Sequence, residues 1–161
     1  MNKYDIAEAL RTRSIYEIPL RVAYYASPIP DDYSVEHGID MQIKYCEVLI
    51  KSVSNWTLVD GYVDGSRRHC LCQPRREFNR MVLDAIENQF DLIITAEAIA
   101  FAEIPHGFHR FARVLRDLGV GILFPKLGAE YNTFSAQIDW LSSKLAEYAF
   151  WGDMDFDSDE S

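Results

Sequence analysis

Short apolar runs alternate along this chain with stretches whose apolar residues recur at helical spacing, and that alternation narrows the possible architectures more than any other feature. Runs of the first kind are Arg21 to Ala26, Thr57 to Val63, Asp91 to Thr95 and Val120 to Phe124. Each is a few residues long and rich in β-branched or aromatic side chains, which is how a buried strand reads. Pro28 and Pro30 stop the first, because proline supplies no ladder donor. Between the runs, Ile39, Ile43, Cys46, Ile50 and Val53 fall on one helical face, as do Phe78, Met81, Val82, Ala85 and Ile86, and then Phe108, Phe111, Ala112, Leu115 and Leu118. Pro105 suits the first turn of that third helix, and Gly119 is placed to end it. Strand and helix in alternation predict an α/β fold, a mostly parallel central sheet with helices on both faces. Phe134, Ile138, Leu141, Leu145 and Tyr148 continue the pattern into a long C-terminal helix, with Trp140, Phe150 and Trp151 off its stripe.

Ahead of the first strand, Ile6 and Leu10 lie one helical turn apart, so a short helix is expected there. The expected division is an N-terminal extension over residues 1–19, one α/β domain over 20–150 and an acidic disordered tail over 151–161. A chain of 161 residues, 48% of them hydrophobic, is long enough for one well-buried core. The most apolar stretch, around Leu92 to Ile104, is short and is interrupted by Glu97 and Glu103, so no membrane span or leader is expected and the location expected is cytoplasmic.

Three cysteines, Cys46, Cys70 and Cys72, do not make the even framework of a small disulfide-stapled domain, and reduced thiols are expected. His69, Cys70 and Cys72 offer three ligands where a structural zinc takes four, so no metal and no cofactor are expected. Charge narrows the partners further. The formal net charge is −9, and the last eleven residues supply −5 of it through Asp153, Asp155, Asp157, Asp159 and Glu160. Lys and Arg contacts to phosphate provide most non-specific DNA affinity, so a body this acidic is poorly suited to hold duplex DNA unaided.

Taken in order, RVAYYASPIP (21–30), IDMQIKYCEVLI (39–50), GYVDG (61–65), PRREFNRMVLDAI (74–86), DLIITAEAIAFAEI (91–104) and FARVLRDLGVGILF (111–124) resemble the N-terminal catalytic domain of serine site-specific recombinases, the resolvase and invertase group with the large serine integrases. The resemblance runs over about residues 20–150 and implies a resolvase-like fold. In that family the first strand ends in Tyr-Ala-Arg-x-Ser and a later one runs into Ser/Asp-Arg-Phe-x-Arg, so that a nucleophilic serine faces several arginines. Here Ile29 stands at the nucleophile position, and Ser27, Ala100 and Glu103 stand at three arginine positions. Two family positions are kept: Asp64, after the second strand, and Arg75, ahead of Phe78. The family's hinge after the acidic residue is replaced by Ser66-Arg67-Arg68-His69.

The family reaction, attack of a serine hydroxyl on a phosphodiester, needs fixed cations around the phosphate, and each lost donor costs about 3 kcal/mol of transition-state stabilisation. Ile29 has no nucleophilic atom, Ala100 and Ser27 each remove a donor, and Glu103 turns attraction into repulsion. The expectation is therefore a pseudoenzyme: a non-cleaving, dimerising or regulatory protein linked to DNA recombination in a mobile element. The resemblance implies a homodimer through the C-terminal helix, and pairing with an active recombinase is a further possible role. Two alternatives stand beside this reading. One is a recombinase acting through Ser27, which shares a face with residue 29 in an extended segment. The other is a small-anion or nucleotide module using Arg67, Arg68, Arg75 and Arg76, with Arg80 nearby. A recombinase also needs a sequence-reading module after its long helix, and none is expected from the residues up to Ser161.

Overall fold

The structure, a computed structural model, describes residues 3–28, 38–65, 75–97 and 107–153, with side chains from residue 5 to residue 147 of those segments. Four strands, β1 (Leu20–Ala26), β2 (Trp56–Val63), β3 (Leu92–Thr95) and β4 (Gly121–Leu123), form one all-parallel sheet in the order β2-β1-β3-β4. Alternate side chains of each strand enter two separate cores. Leu20, Val22, Tyr24, Leu92, Ile94 and Leu123 line one, and Ala23, Tyr25, Ile93 and Ile122 line the other. Burial on both faces is why β1, β3 and β4 read as nearly continuous apolar runs.

Onto the first core pack α1 (Lys3–Ala9), a single 3-10 turn (Ile15–Glu17) and α2 (Ile39–Ser52), through Ile6, Ile15, Ile18, Cys46 and Ile50. Residues ahead of β1 are thus part of the core. The Trp56 indole donates to the Ile15 carbonyl, and Ser14 and Glu17 close a reciprocal capping box on the 3-10 turn. The second core is covered by α3 (Arg76–Ile86), α4 (Phe108–Asp117) and α5 (Ile138–Asp153), through Met81, Ala85, Phe108, Ala112, Leu115, Ile138, Leu141 and Leu145. The expected α/β sheet with helices on both faces is what the chain forms.

Three details differ from the pattern reading. Ile86 and Leu118, placed by spacing on buried faces, are exposed, Ile86 as the last residue of its helix and Leu118 as the C-cap of the next. Phe134 does not belong to the final helix, which begins at Ile138. The Asn132 side-chain oxygen accepts from the Phe134 and Ser135 amides, making a turn that drops the Phe134 ring onto Gly121 of β4. Gln42, a polar residue, is buried on the inner face of α2.

The two edges of the sheet are treated differently. β4 is flanked by residues 131–133, with an antiparallel bridge from Leu123 to Asn132 and bonds from Phe124 to Tyr131 and from Thr133 to Ile122. β2 carries a bulge: Val22 faces Leu58 and Ala23 faces Asp60, so Val59 is the extra residue. A bulge twists an edge strand and makes it a poor template for another chain. At the amino end of the sheet Asp91 receives both the amide and the guanidinium of Arg21, tying β1 to β3. The kept family positions Asp64 and Arg75 lie at the opposite end. Strand order reverses between β1 and β3, and in open α/β sheets ligands bind beyond the carboxyl ends at such a reversal.

Candidate functional site

At the carboxyl edge β1 and β2 deliver a tightly bonded cluster. The Asp64 amide donates to the Ala26 carbonyl at 3.0 Å, extending the β1–β2 ladder by one step and aiming the side chain at α3. Oδ1 of Asp64 accepts from the Glu77 amide at 2.8 Å, and Oδ2 accepts from the Phe78 amide at 3.0 Å and from the Tyr25 hydroxyl at 2.8 Å. Gly65, with φ 65°, turns the chain away, and a Cβ there would meet the Pro28 ring at 2.8 Å. The carboxylate is therefore a cap for α3 supplied from a distant strand. Arg75, at the N-cap position, makes no capping bond with its own side chain.

The Arg75 guanidinium lies 4.3 Å from the Phe78 ring centroid and 5.5 Å from that of Tyr25, and Nη2 donates to the Tyr25 hydroxyl at 3.2 Å. Phe78 in turn packs edge-on against Tyr25 and, tilted, against Phe111 of α4. The two kept family positions, Asp64 and Arg75, are thus brought together, with Tyr25 as the bridge. Burial pushes the Tyr25 phenol up from 10.0 to about 12, Arg75 pulling it down and Asp64 adding to the rise.

Ser27 closes β1 a few residues away in sequence and is held by its backbone. Gln42 accepts from the Ser27 amide at 3.2 Å and donates to the Ser27 carbonyl at 2.8 Å. Ser27 is 9% exposed. At the end of β3, Glu97 pairs with Lys126 at 3.0 Å, and Lys126 lies over the Tyr45 ring. Of the arginines in the expected basic patch, Arg76 is exposed at the start of α3. Arg80 is committed elsewhere, bonded to Glu77 and Asp60, within 3.7 Å of Asp84 and stacked on Tyr62. Ile29, Arg67, Arg68, Ala100 and Glu103, with His69, Cys70 and Cys72, lie outside the described residues. Among the described residues no three His, Cys, Asp or Glu side chains converge on a metal position. Burial pushes the Cys46 thiol up to about 12, which leaves it inert at neutral pH.

Among the described residues, the hydroxyl that meets both a carboxylate and a guanidinium is that of Tyr25. A nucleophile must reach its substrate and lose its proton. Tyr25 is fully buried and holds its proton more firmly than a free phenol, so its hydroxyl joins the two charged groups and is not poised to attack. Sequence reasoning found Asp64 and Arg75 but missed Tyr25 as their bridge and Gln42 as the clamp on Ser27. One signal was present: the strongly amphipathic run from Phe78 has no Ser, Thr, Asp or Asn immediately before it, and a helix start without a local cap draws one from elsewhere.

Among the described residues no helix is long and apolar enough to cross a membrane. No protein-family model matches the sequence, and no curated protein matches it. Among solved structures, the N-terminal catalytic domain of TP901-1 integrase matches with a TM-score of 0.58 and 17% identity, over 83% of this chain and 96% of that one. The fold is similar to that of an integrase catalytic domain, in a sequence that shares few of its residues.

Proposed function

We propose that this chain is a recombinase-type domain that does not cut DNA and acts by association, with a second copy of itself or with an active recombinase. The observation that carries the reading is the orientation of the kept charges. Asp64 is turned into the start of α3 and Arg75 onto two aromatic rings. Phosphoryl transfer on this scaffold would instead need a reachable hydroxyl among several cations. The sequence supports the same conclusion, since Ile29, Ala100 and Glu103 stand where the family has a serine and two arginines.

The test is incubation of the full chain with supercoiled plasmid, followed by denaturing electrophoresis that retains covalent protein–DNA adducts. The expected result is neither nicks nor adducts under conditions in which an active recombinase forms both. An adduct that disappears in Ser27→Ala would overturn the proposal and establish Ser27 as the nucleophile.

A further inference from the structure

Leu83 and Ile86 of α3, with Val114 and Leu118 of α4, are large apolar side chains left exposed. Both helices follow the carboxyl end of one strand and precede the amino end of the next, so they run in the same direction, and Phe78 packs on Phe111 to set them side by side. Counted from those two rings, Leu83 and Ile86 are five and eight residues on, and Val114 and Leu118 three and seven, so the four share one patch. The α5 helix meets α4 on another flank, where His109 and Arg113 hold Asp139.

The charges around this patch are sorted by sign. Arg76 and Arg110 stand exposed in the first turns of the two helices, and Glu87 and Asp117 stand exposed at the far ends. By helical spacing Arg76, Leu83 and Glu87 fall on one line of α3, and Arg110, Val114 and Asp117 on one line of α4. A helix dipole favours acids at its start and bases at its end, so both lines carry their charges the wrong way round for helix stability. Glu77 and Arg116, which suit the dipole, lie off these lines. An order that each helix alone disfavours points to a contact outside the helices.

We propose that this outer face of α3 and α4 pairs with the same face of a second copy of the chain. A twofold axis across the helices brings Arg76 and Arg110 of each copy onto Glu87 and Asp117 of the other, with the apolar side chains meeting between them. A patch with a positive end, an apolar middle and a negative end is complementary to itself under that rotation, and an apolar centre within a charged rim is the usual anatomy of an interface. The choice of occupant rests on the association proposed above, and the surface is separate from α5. The patch is small, so the contact is weak and fills only at high protein concentration.

The test is sedimentation of the full chain carrying Phe150→Asp and Trp151→Asp, which takes α5 out of the result, from about 10 μM to about 1 mM protein. Self-association is expected at the upper end. It should weaken at least about tenfold in Arg76→Glu with Arg110→Glu, and as much in Glu87→Arg with Asp117→Arg, because either set brings like charges together. The two variants mixed should associate as strongly as the parent or more strongly, since one is acidic and the other basic at both ends. Val114→Asp should abolish association in the mixture too, which separates pairing through this patch from a general attraction of opposite charges. The substituted residues are exposed and the charge reversals suit the dipole, so circular dichroism should not change. A monomer at every concentration, a mixture no stronger than either variant alone, or a mixture indifferent to Val114→Asp overturns the proposal. Loss on reversing the arginines with no effect from reversing Glu87 and Asp117 overturns it as well, and gives the basic end to another acidic segment such as 153–160. Failure here leaves the nicking assay and the α5 contact untouched.

Discussion

Removing one oxygen atom from Tyr25 separates the two tasks its side chain performs. The ring fills the second core and meets Phe78 edge-on, and the hydroxyl joins Asp64 to Arg75. Tyr25→Phe keeps the first and loses a hydrogen bond to a charged group, worth about 2 kcal/mol, or a fall of about 5 °C in the thermal midpoint. The same hydroxyl sets an alkaline limit. Its folded value, about 12, lies above the ordinary 10.0, so the native state favours the protonated phenol. That contribution is complete below about pH 10 and is lost as pH rises towards 12. Tyr24 and Tyr62 are raised as well, by burial first and then by Glu47 and Asp84. Thermal midpoints taken from neutral to strongly alkaline pH should fall above pH 10, and less steeply in Tyr25→Phe. A curve identical in both proteins would remove Tyr25 as a cause. The sequence could place Asp64 and Arg75 near a strand end by motif order. It could not show that they share one tyrosine, because the two bonds span 39 and 50 residues of chain.

Among the elements, α2 shows what periodicity reveals and what it hides. Its apolar residues announce a helix and a face, and Cys46 and Ile50 are buried as that face requires. Gln42 sits among them unannounced, since a polar residue on an apolar face carries no periodic signal. Its purpose lies in β1. The ladder of β1 ends at Ala26, and beyond it the Ser27 amide and carbonyl lack a strand to pair with. The Gln42 side chain, one donor and one acceptor, takes both. Gln42→Leu keeps the volume and leaves two buried backbone groups without partners, each costing about 1–3 kcal/mol. Urea unfolding should show a loss of about 2 kcal/mol or more with unchanged slope, and a loss under about 0.5 kcal/mol would mean that water replaces the amide. The misplaced Phe134 has a related cause. Its four-residue spacing to Ile138 imitates a helical turn, whereas the decisive contacts, with Asn132 and Gly121, are a local side-chain turn and a strand across the sheet.

At the scale of the molecule, the parallel sheet and its two helical layers follow from alternation alone, while the proposed self-association rests on α5. Ile138, Leu141 and Leu145 of α5 face the core, and Asp139 in its first turn is gripped by His109 and Arg113 of α4. Trp140, on another side, stacks with Tyr131 and remains 41% exposed. Further along, the sequence carries Phe150 and Trp151 off the stripe that ends at Tyr148. Under the proposed self-association the expected result is a dimer in sedimentation, weakened to monomer by Phe150→Asp with Trp151→Asp in the full chain and with an unchanged circular dichroism spectrum. Salt separates this from an association through charge. The five acidic residues of 153–160 are the densest charge in the chain, and any contact they make with a basic surface weakens as salt shortens the screening length from about 10 Å to about 3 Å between 0.1 and 1 M. Apolar contact does not weaken in this way. A dimer that persists at 1 M salt and is lost in the double variant supports association through the helix. One that dissociates with salt and survives the substitutions would transfer the interface to the acidic segment and remove α5 as the basis of assembly.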